Sequence, residues 1–188
     1  MPNQITGIVL AGGESRRFGS PKAFATRNGI PFYQYSINTL APYCHSIVFV
    51  TRPEFHNQFS FEDDSITVIN DVAKFQGQGP LAGIYSAIEE VSAEWYIVLP
   101  VDVPFIEQWV IEKLIYNIED NINAVVPIVG EKQQPLIACY HHSVHKQIAE
   151  NLTNEKLSLQ QLFDHIRVKY IQLNNELPFR NINRPEDL

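Results

Sequence analysis

Apolar and polar positions along the chain follow two rhythms. Short apolar, largely β-branched runs recur at Ile5–Leu10, Ser46–Thr51, Thr67–Asn70, Trp95–Val101, Ala124–Val129, Pro135–Tyr140 and Val168–Leu173. Runs of this kind, bounded by polar and turn-forming residues, predict buried strands. Between them the spacing becomes helical. Leu81, Ile84, Tyr85, Ile88 and Val91 form one apolar stripe, and Val110, Ile111, Leu114, Ile115 and Ile118 form another. Pro31 opens a helix that runs to about Leu40 and is ended by Ala41-Pro42. A further helix is expected from about Ser143 to Leu152. Ser158 and Gln161 have capping-box spacing ahead of a short helix carrying Leu159, Leu162, Phe163 and Ile166.

The intervening segments are punctuated by turn residues. Asn28-Gly29, between Ala23–Thr26 and Ile30–Phe32, predicts a type I′ hairpin. The segment 52–65 is polar and poorly periodic, and reads as loop with one helical turn. Gly77, Gly79, Pro80 and Gly83 mark a loop that runs into a helix. Strands alternating with helices predict an α/β fold of three α/β/α layers, a Rossmann-like, mostly parallel sheet. No break in composition divides residues 1–188, so one domain is expected. Ligands of such sheets bind beyond the carboxyl ends of the strands. Gly12, Asp71 and Asp102 each follow a predicted strand, which would bring them to one edge.

Charge sharpens this picture at the first strand. The stretch from Ile8 to Lys22 continues through Leu10, Ala11, Gly12 and Gly13 to three cations, Arg16, Arg17 and Lys22. Glycines let a backbone lie against a ligand, and consecutive peptide N–H groups in a turn form a concave anion site. The spacing is neither that of a Walker A loop nor G-x-G-x-x-G. A phosphate-binding loop and a tight turn with a solvated basic loop both fit these residues. The chain as a whole carries a formal charge of −7, which argues against broad binding to nucleic acid or an anionic membrane. An anion would therefore need a local focus of positive charge. Cys44 and Cys139 have no metal or redox spacing and read as reduced thiols. With neither a leader pattern nor a membrane-length apolar run, a cytoplasmic location is expected.

Two carboxylates and a cluster of histidines remain. Asp102, at the end of an apolar run and fixed by Pro104, suits a Mg²⁺ ligand bridging to triphosphate oxygens, and suits equally a turn or helix N-cap. Asp71 could accept from guanine N1–H and N2–H₂, or form an Asx turn after its strand. His141, His142 and His145 lack a cysteine or acidic partner at ligand spacing, and read as solvated or capped rather than as a zinc site. No Ser-His-Asp or Cys-His arrangement supports covalent catalysis.

The pattern L-A-G-G-x-S-x-R-x-G-x-x-K resembles the signature loop of nucleotidyltransferases related to molybdenum cofactor guanylyltransferase, the MobA family. Gly79-Pro-Leu-Ala-Gly83, Leu99-Pro-Val-Asp-Val-Pro104 and Asn181-Ile-Asn183-Arg-Pro-Glu-Asp187 resemble further motifs of that family, in the same order. The resemblance implies a nucleotide-diphospho-sugar-transferase-like fold and transfer of GMP from Mg·GTP to Mo-molybdopterin, with release of pyrophosphate. It implies Leu10, Ala11, Gly12, Gly13, Lys22, Asp71, Gly79 and Asp102 at the nucleotide. Lys22 would neutralise phosphates, Arg17 assist and Asp102 hold Mg²⁺. Asn181 and Asn183 would position the pterin, and Arg184 departs from the threonine usual in the last motif. GTP and Mo-molybdopterin are the implied partners, with transient contacts to molybdenum-insertion or molybdoenzyme proteins. Two alternatives share the features named. One is a related cytidylyl- or sugar-phosphate nucleotidyltransferase, the other a non-catalytic nucleotide carrier.

Overall fold

The computed structural model describes residues 4–13 and 22–187. Arg16 and Arg17 lie outside them. In chain order the elements begin with β1 (Ile5–Leu10), the hairpin β2 (Thr26–Arg27) and β3 (Ile30–Pro31), α1 (Phe32–Leu40), β4 (Ser46–Val50) and β5 (Ile66–Ile69). They continue with α2 (Pro80–Glu90), β6 (Trp95–Pro100), α3 (Gln108–Tyr116), β7 (Ala124–Val129) and β8 (Lys132–Gln133). The chain closes with β9 (Ala138–His141), α4 (His145–Thr153), α5 (Leu159–Phe163) and β10 (Val168–Leu173).

The main sheet has the order β10-β7-β9-β6-β1-β4-β5, with β8 added to β7. Pairings of β1 with β4 and β6, of β4 with β5 and of β7 with β10 are parallel, whereas β9 runs antiparallel to both β6 and β7. Strict alternation along the strands separates two cores. Val9, Phe49, Leu99 and Cys139 face α1 and α3, where Leu40, Ile111 and Leu114 cover them. Ile8, Val48, Val98 and Tyr140 face the other way, under Leu81 and Ile84 of α2 and Ile148 and Leu152 of α4. A sheet covered on both faces accounts for strands that read as continuous apolar runs, and the three-layer α/β expectation holds.

Local chemistry explains the details. Asn28 and Gly29 both have positive φ, 53° and 77°, as a type I′ turn requires. Ser158 and Gln161 form the expected capping box. Two of the boundaries that differ from the sequence reading have a local cause. The run Pro135–Tyr140 begins as a turn, with Ile137 N–H donating to Gln134 O, and becomes strand only at Ala138. Proline cannot donate to a ladder, so the first residues of the run stay outside it. The helix expected from Ser143 begins at His145, because the His141 side chain accepts from the Ser143 amide and holds a 3-10 turn at His142–Val144. Burial pushes the Cys44 thiol up to about 12 and raises the Cys139 thiol strongly, so neither forms thiolate at neutral pH. Among the described residues no helix is long and apolar enough to cross a membrane.

Candidate active site

Sheet register builds the site. Leu10 lies opposite Pro100 on one side and Val50 on the other, and Val50 lies opposite Ile69. These four residues form one row across the carboxyl ends of β6, β1, β4 and β5. Ladder bonds extend one residue past it, with Ala11 N–H to Val50 O at 2.8 Å, Val101 N–H to Leu10 O at 3.2 Å and Thr51 N–H to Ile69 O at 2.9 Å. The residue after that on each strand is Asp102, Gly12, Arg52 and Asp71, in that spatial order. Three strand spacings of about 4.8 Å separate the two aspartates, so the row runs about 14 Å.

Beyond the row opens a cleft of about 760 Å³, within the size range of small-molecule sites. Leu10, Ala11, Gly12, Gly13, Lys22, Asp71, Gly79, Asp102 and Asn181 all line it. Sequence reasoning thus gathered most of one wall. It missed Arg52, Glu54, Gln76 and the turn Gln134–Ile137, which also line the cleft. The turn reaches this edge because β9 is antiparallel, so its entrance lies beside the exits of the other strands. Arg52 had one legible signal, as the first charge after β4.

Lys22 stands at the β6 end of the row. Its 3-10 turn, Lys22–Phe24, is pinned by Phe24 stacked on Phe59 with centroids 4.7 Å apart. The Lys22 ammonium donates to Asp102 Oδ2 at 3.3 Å and to Asn183 Oδ1 at 2.6 Å. One cation therefore bridges the carboxylate after β6 to the C-terminal motif. The tail is also tied from its backbone, with Ile182 N–H donating to Asp102 O at 2.8 Å. Asp187 Oδ2 accepts the amides of Asn183 and Arg184 at 2.8 and 2.9 Å, and these bonds hold its carboxyl below the usual range. Arg27, from the hairpin, donates to Pro104 O at 3.1 Å and lies 4.3 Å over the Phe105 ring. The Arg180 guanidinium lies 5.9 Å from the same ring. Hairpin and tail thus grip the loop that carries Asp102.

Asp102 caps no helix, since α3 starts at Gln108 with Glu107 before it. Nor does Asp71 form an Asx turn. Its Oδ2 accepts from Gly77 N–H, six residues on, at 3.2 Å. Burial raises the Asp71 pKa, and the Gly77 bond offsets part of that rise. Gly79 has φ 80° and ψ −166°, a region open essentially only to glycine, and Pro80 then starts α2. Gly83 lets α2 approach the sheet: a Cβ there would stand 2.9 Å from Leu10 Cδ2 and 3.7 Å from Asp71 Oδ1.

The three histidines lie elsewhere. His145 pairs with Glu89 and stacks on Tyr85 at 4.8 Å, His141 bonds Ser143, and none of the three lines the cleft. Among the described residues no cluster of three or more His, Cys, Asp or Glu could cage a metal. Asp102, the one carboxylate beside Lys22 among the described residues, suits a hard cation that takes its other ligands from water and a bound ligand, as Mg²⁺ does.

The cleft lies at the exits of a mostly parallel sheet, with the Lys22–Asp102 pair at one end and Arg52, Glu54 and Asp71 at the other, in an α/β nucleotidyltransferase fold. Residues 7–169 match the MobA-like NTP transferase domain, and the chain belongs to that family. A relative from a Geobacillus species, named probable molybdenum cofactor guanylyltransferase, is 38% identical over 98% of this chain and 96% of its own. A relative of the same name from Halalkalibacterium halodurans is 37% identical over 97% and 94%. The crystal structure of molybdopterin-guanine dinucleotide biosynthesis protein A from Archaeoglobus fulgidus is similar in fold. Its TM-score is 0.81 at 24% identity, covering 97% of this chain and 94% of that one. A 2-C-methyl-D-erythritol 4-phosphate cytidylyltransferase from Thermus thermophilus has the same fold at TM-score 0.73 and 14% identity, over 98% and 95%.

Proposed function

We propose that the protein transfers GMP from metal-bound GTP to the terminal phosphate of Mo-molybdopterin, within one domain and in the cytoplasm. The Lys22–Asp102–Asn183 bridge carries this reading, because it joins the nucleotide row to the acceptor-side tail at one point. The names of the relatives supply the guanylyl and molybdopterin parts.

GTP lies along the row with its base at β5 and its phosphates at β1 and β6. Asp71 accepts from guanine N1–H and N2–H₂. The Gly12–Gly13 turn brings peptide N–H groups to the phosphates, and Arg17 adds charge there. Asp102 would hold Mg²⁺, which would neutralise triphosphate charge. An oxygen of the acceptor phosphate attacks the α-phosphorus, and the bond from that phosphorus to the bridging oxygen breaks. Pyrophosphate leaves with the electron pair. The attacking oxygen is already anionic and needs no base, so Lys22 contributes charge rather than proton transfer. Asn181 and Asn183 orient the acceptor for in-line attack, and the product passes to molybdenum-insertion or molybdoenzyme proteins by transient contact.

The test is pyrophosphate release by purified protein with Mg²⁺ and Mo-molybdopterin, comparing GTP, CTP and ATP. Release with GTP alone, abolished in Asp102→Ala, is expected. Release with CTP alone would make the protein a cytidylyltransferase. GTP binding without release would make it a carrier.

A further inference from the structure

We infer that Arg52 determines base specificity by donating two hydrogen bonds to guanine O6 and N7. The inference rests on the reading that GTP is the nucleotide, and goes beyond it by naming a second base-reading side chain.

Register places Arg52 one strand from Asp71 in the row, and both line the cleft. Its surroundings disfavour a phosphate partner. Glu54 Oε1 holds the guanidinium at 2.5 Å and itself lines the cleft, and the half-buried Asp71 carboxylate stands on the neighbouring strand. Two carboxylates against one guanidinium leave this end of the cleft net acidic, whereas at the opposite end Lys22 balances Asp102. The uncharged base therefore belongs here.

The donor arithmetic points to one edge of that base. A guanidinium has five N–H donors in a planar fork, and Glu54 engages one nitrogen, Nη2. Guanine presents O6 and N7 side by side, and a bidentate arginine is their commonest partner. Asp71 cannot serve these acceptors, because an ionised carboxylate only accepts. Asp71 and Arg52 on adjacent strands thus divide guanine between them, with donors N1–H and N2–H₂ to the aspartate and acceptors O6 and N7 to the arginine. Cytosine presents an amino donor where O6 would be and finds no partner in Arg52. Glu54 and the Phe55 ring, 5.9 Å from the guanidinium, flank the fork.

The test is competition binding against a fluorescent GTP analogue, using the wild type, Arg52→Met and Arg52→Lys. The ligands are GTP, 7-deaza-GTP, which lacks the N7 acceptor, and ITP, which keeps O6 and N7 but lacks the amino group read by Asp71. Arg52→Met is expected to weaken GTP binding about 10- to 100-fold. The wild type is expected to bind 7-deaza-GTP more weakly than GTP, and both variants to bind the two alike. The ITP penalty should survive in both variants, which also reports that the site is folded. Arg52→Lys keeps the charge without the fork, so its loss of N7 discrimination separates recognition from electrostatics. A 7-deaza penalty retained in either variant, or absent from the wild type, overturns the inference while leaving GTP binding intact. A wild type that binds no GTP refutes the nucleotide reading itself, and the inference with it.

Discussion

Replacing Lys22 by methionine should move two readouts in opposite directions. Lys22 Nζ and Asp102 Oδ2 are 3.3 Å apart, with 19% and 22% of their side chains exposed. At an effective dielectric of about 20, the gross attraction at that distance is about 5 kcal/mol. Desolvation removes much of it, and a charge-assisted hydrogen bond of this kind is worth about 1.5–3 kcal/mol net. A divalent cation arriving alone at Asp102 must displace this ammonium. Lys22→Met should therefore tighten Mn²⁺ binding in the absence of nucleotide by roughly 10- to 100-fold. The same substitution removes a positive charge from the triphosphate and the Asn183 tether, so GTP turnover should fall at least about 100-fold. Titrating Mn²⁺ by the electron paramagnetic resonance of the free ion measures the first effect, and pyrophosphate release the second. Asp102→Asn added to Lys22→Met should erase the gain in Mn²⁺ affinity. If Lys22→Met binds Mn²⁺ no more tightly than the wild type, the lysine and the metal do not share Asp102 and the reasoning fails.

Three further outcomes follow from the site. Burial raises the Asp71 pKa, so its ionised form, and with it GTP affinity, should rise with pH through a midpoint above the ordinary aspartate range. Asp71→Asn should flatten that profile in a fluorescence titration between about pH 4 and pH 7. A carboxyl whose folded pKa exceeds its unfolded value costs stability above that window, so the same variant should melt higher at neutral pH while binding GTP less well. Gly79→Ala forces a side chain into a region costing about 1–3 kcal/mol, and should lower the melting midpoint by roughly 3–9 °C, with a raised KM for GTP. Arg27→Met removes the bond to Pro104 O and the contact with Phe105. It should cost about 1–2 kcal/mol in denaturant melts and raise the Mg²⁺ concentration needed for half-maximal turnover.

Much of the fold was legible because its signals are local. Buried strands announced themselves as apolar runs, the hairpin through Asn28-Gly29, and the fifth helix through Ser158 and Gln161. Asp102 was legible for the same reason, standing between an apolar run and a proline. Strand direction was not, because an apolar run reads the same whichever way its strand is threaded into the sheet. The antiparallel course of β9, and with it the place of Gln134–Ile137 in the cleft, therefore emerged only from pairing. Arg52 was hidden in a polar segment without period. Its position comes from register with two neighbouring strands, which no window of sequence contains. The bond from Lys22 to Asn183 spans 161 residues and left no trace in local pattern beyond the family motif at each end.

That long bond has a consequence for the order in which the molecule matures. Every strand of the sheet is complete by Leu173, yet the amide bonded to Asp102 O belongs to Ile182 and the oxygen facing Lys22 belongs to Asn183. During synthesis, the residues of every strand are joined to the chain before the residues that fasten Lys22 and Asp102 in place. A nascent chain halted shortly after residue 173 would contain every strand of the fold and still lack its finished site. The later-made segment thus acts as a latch on two residues translated well before it.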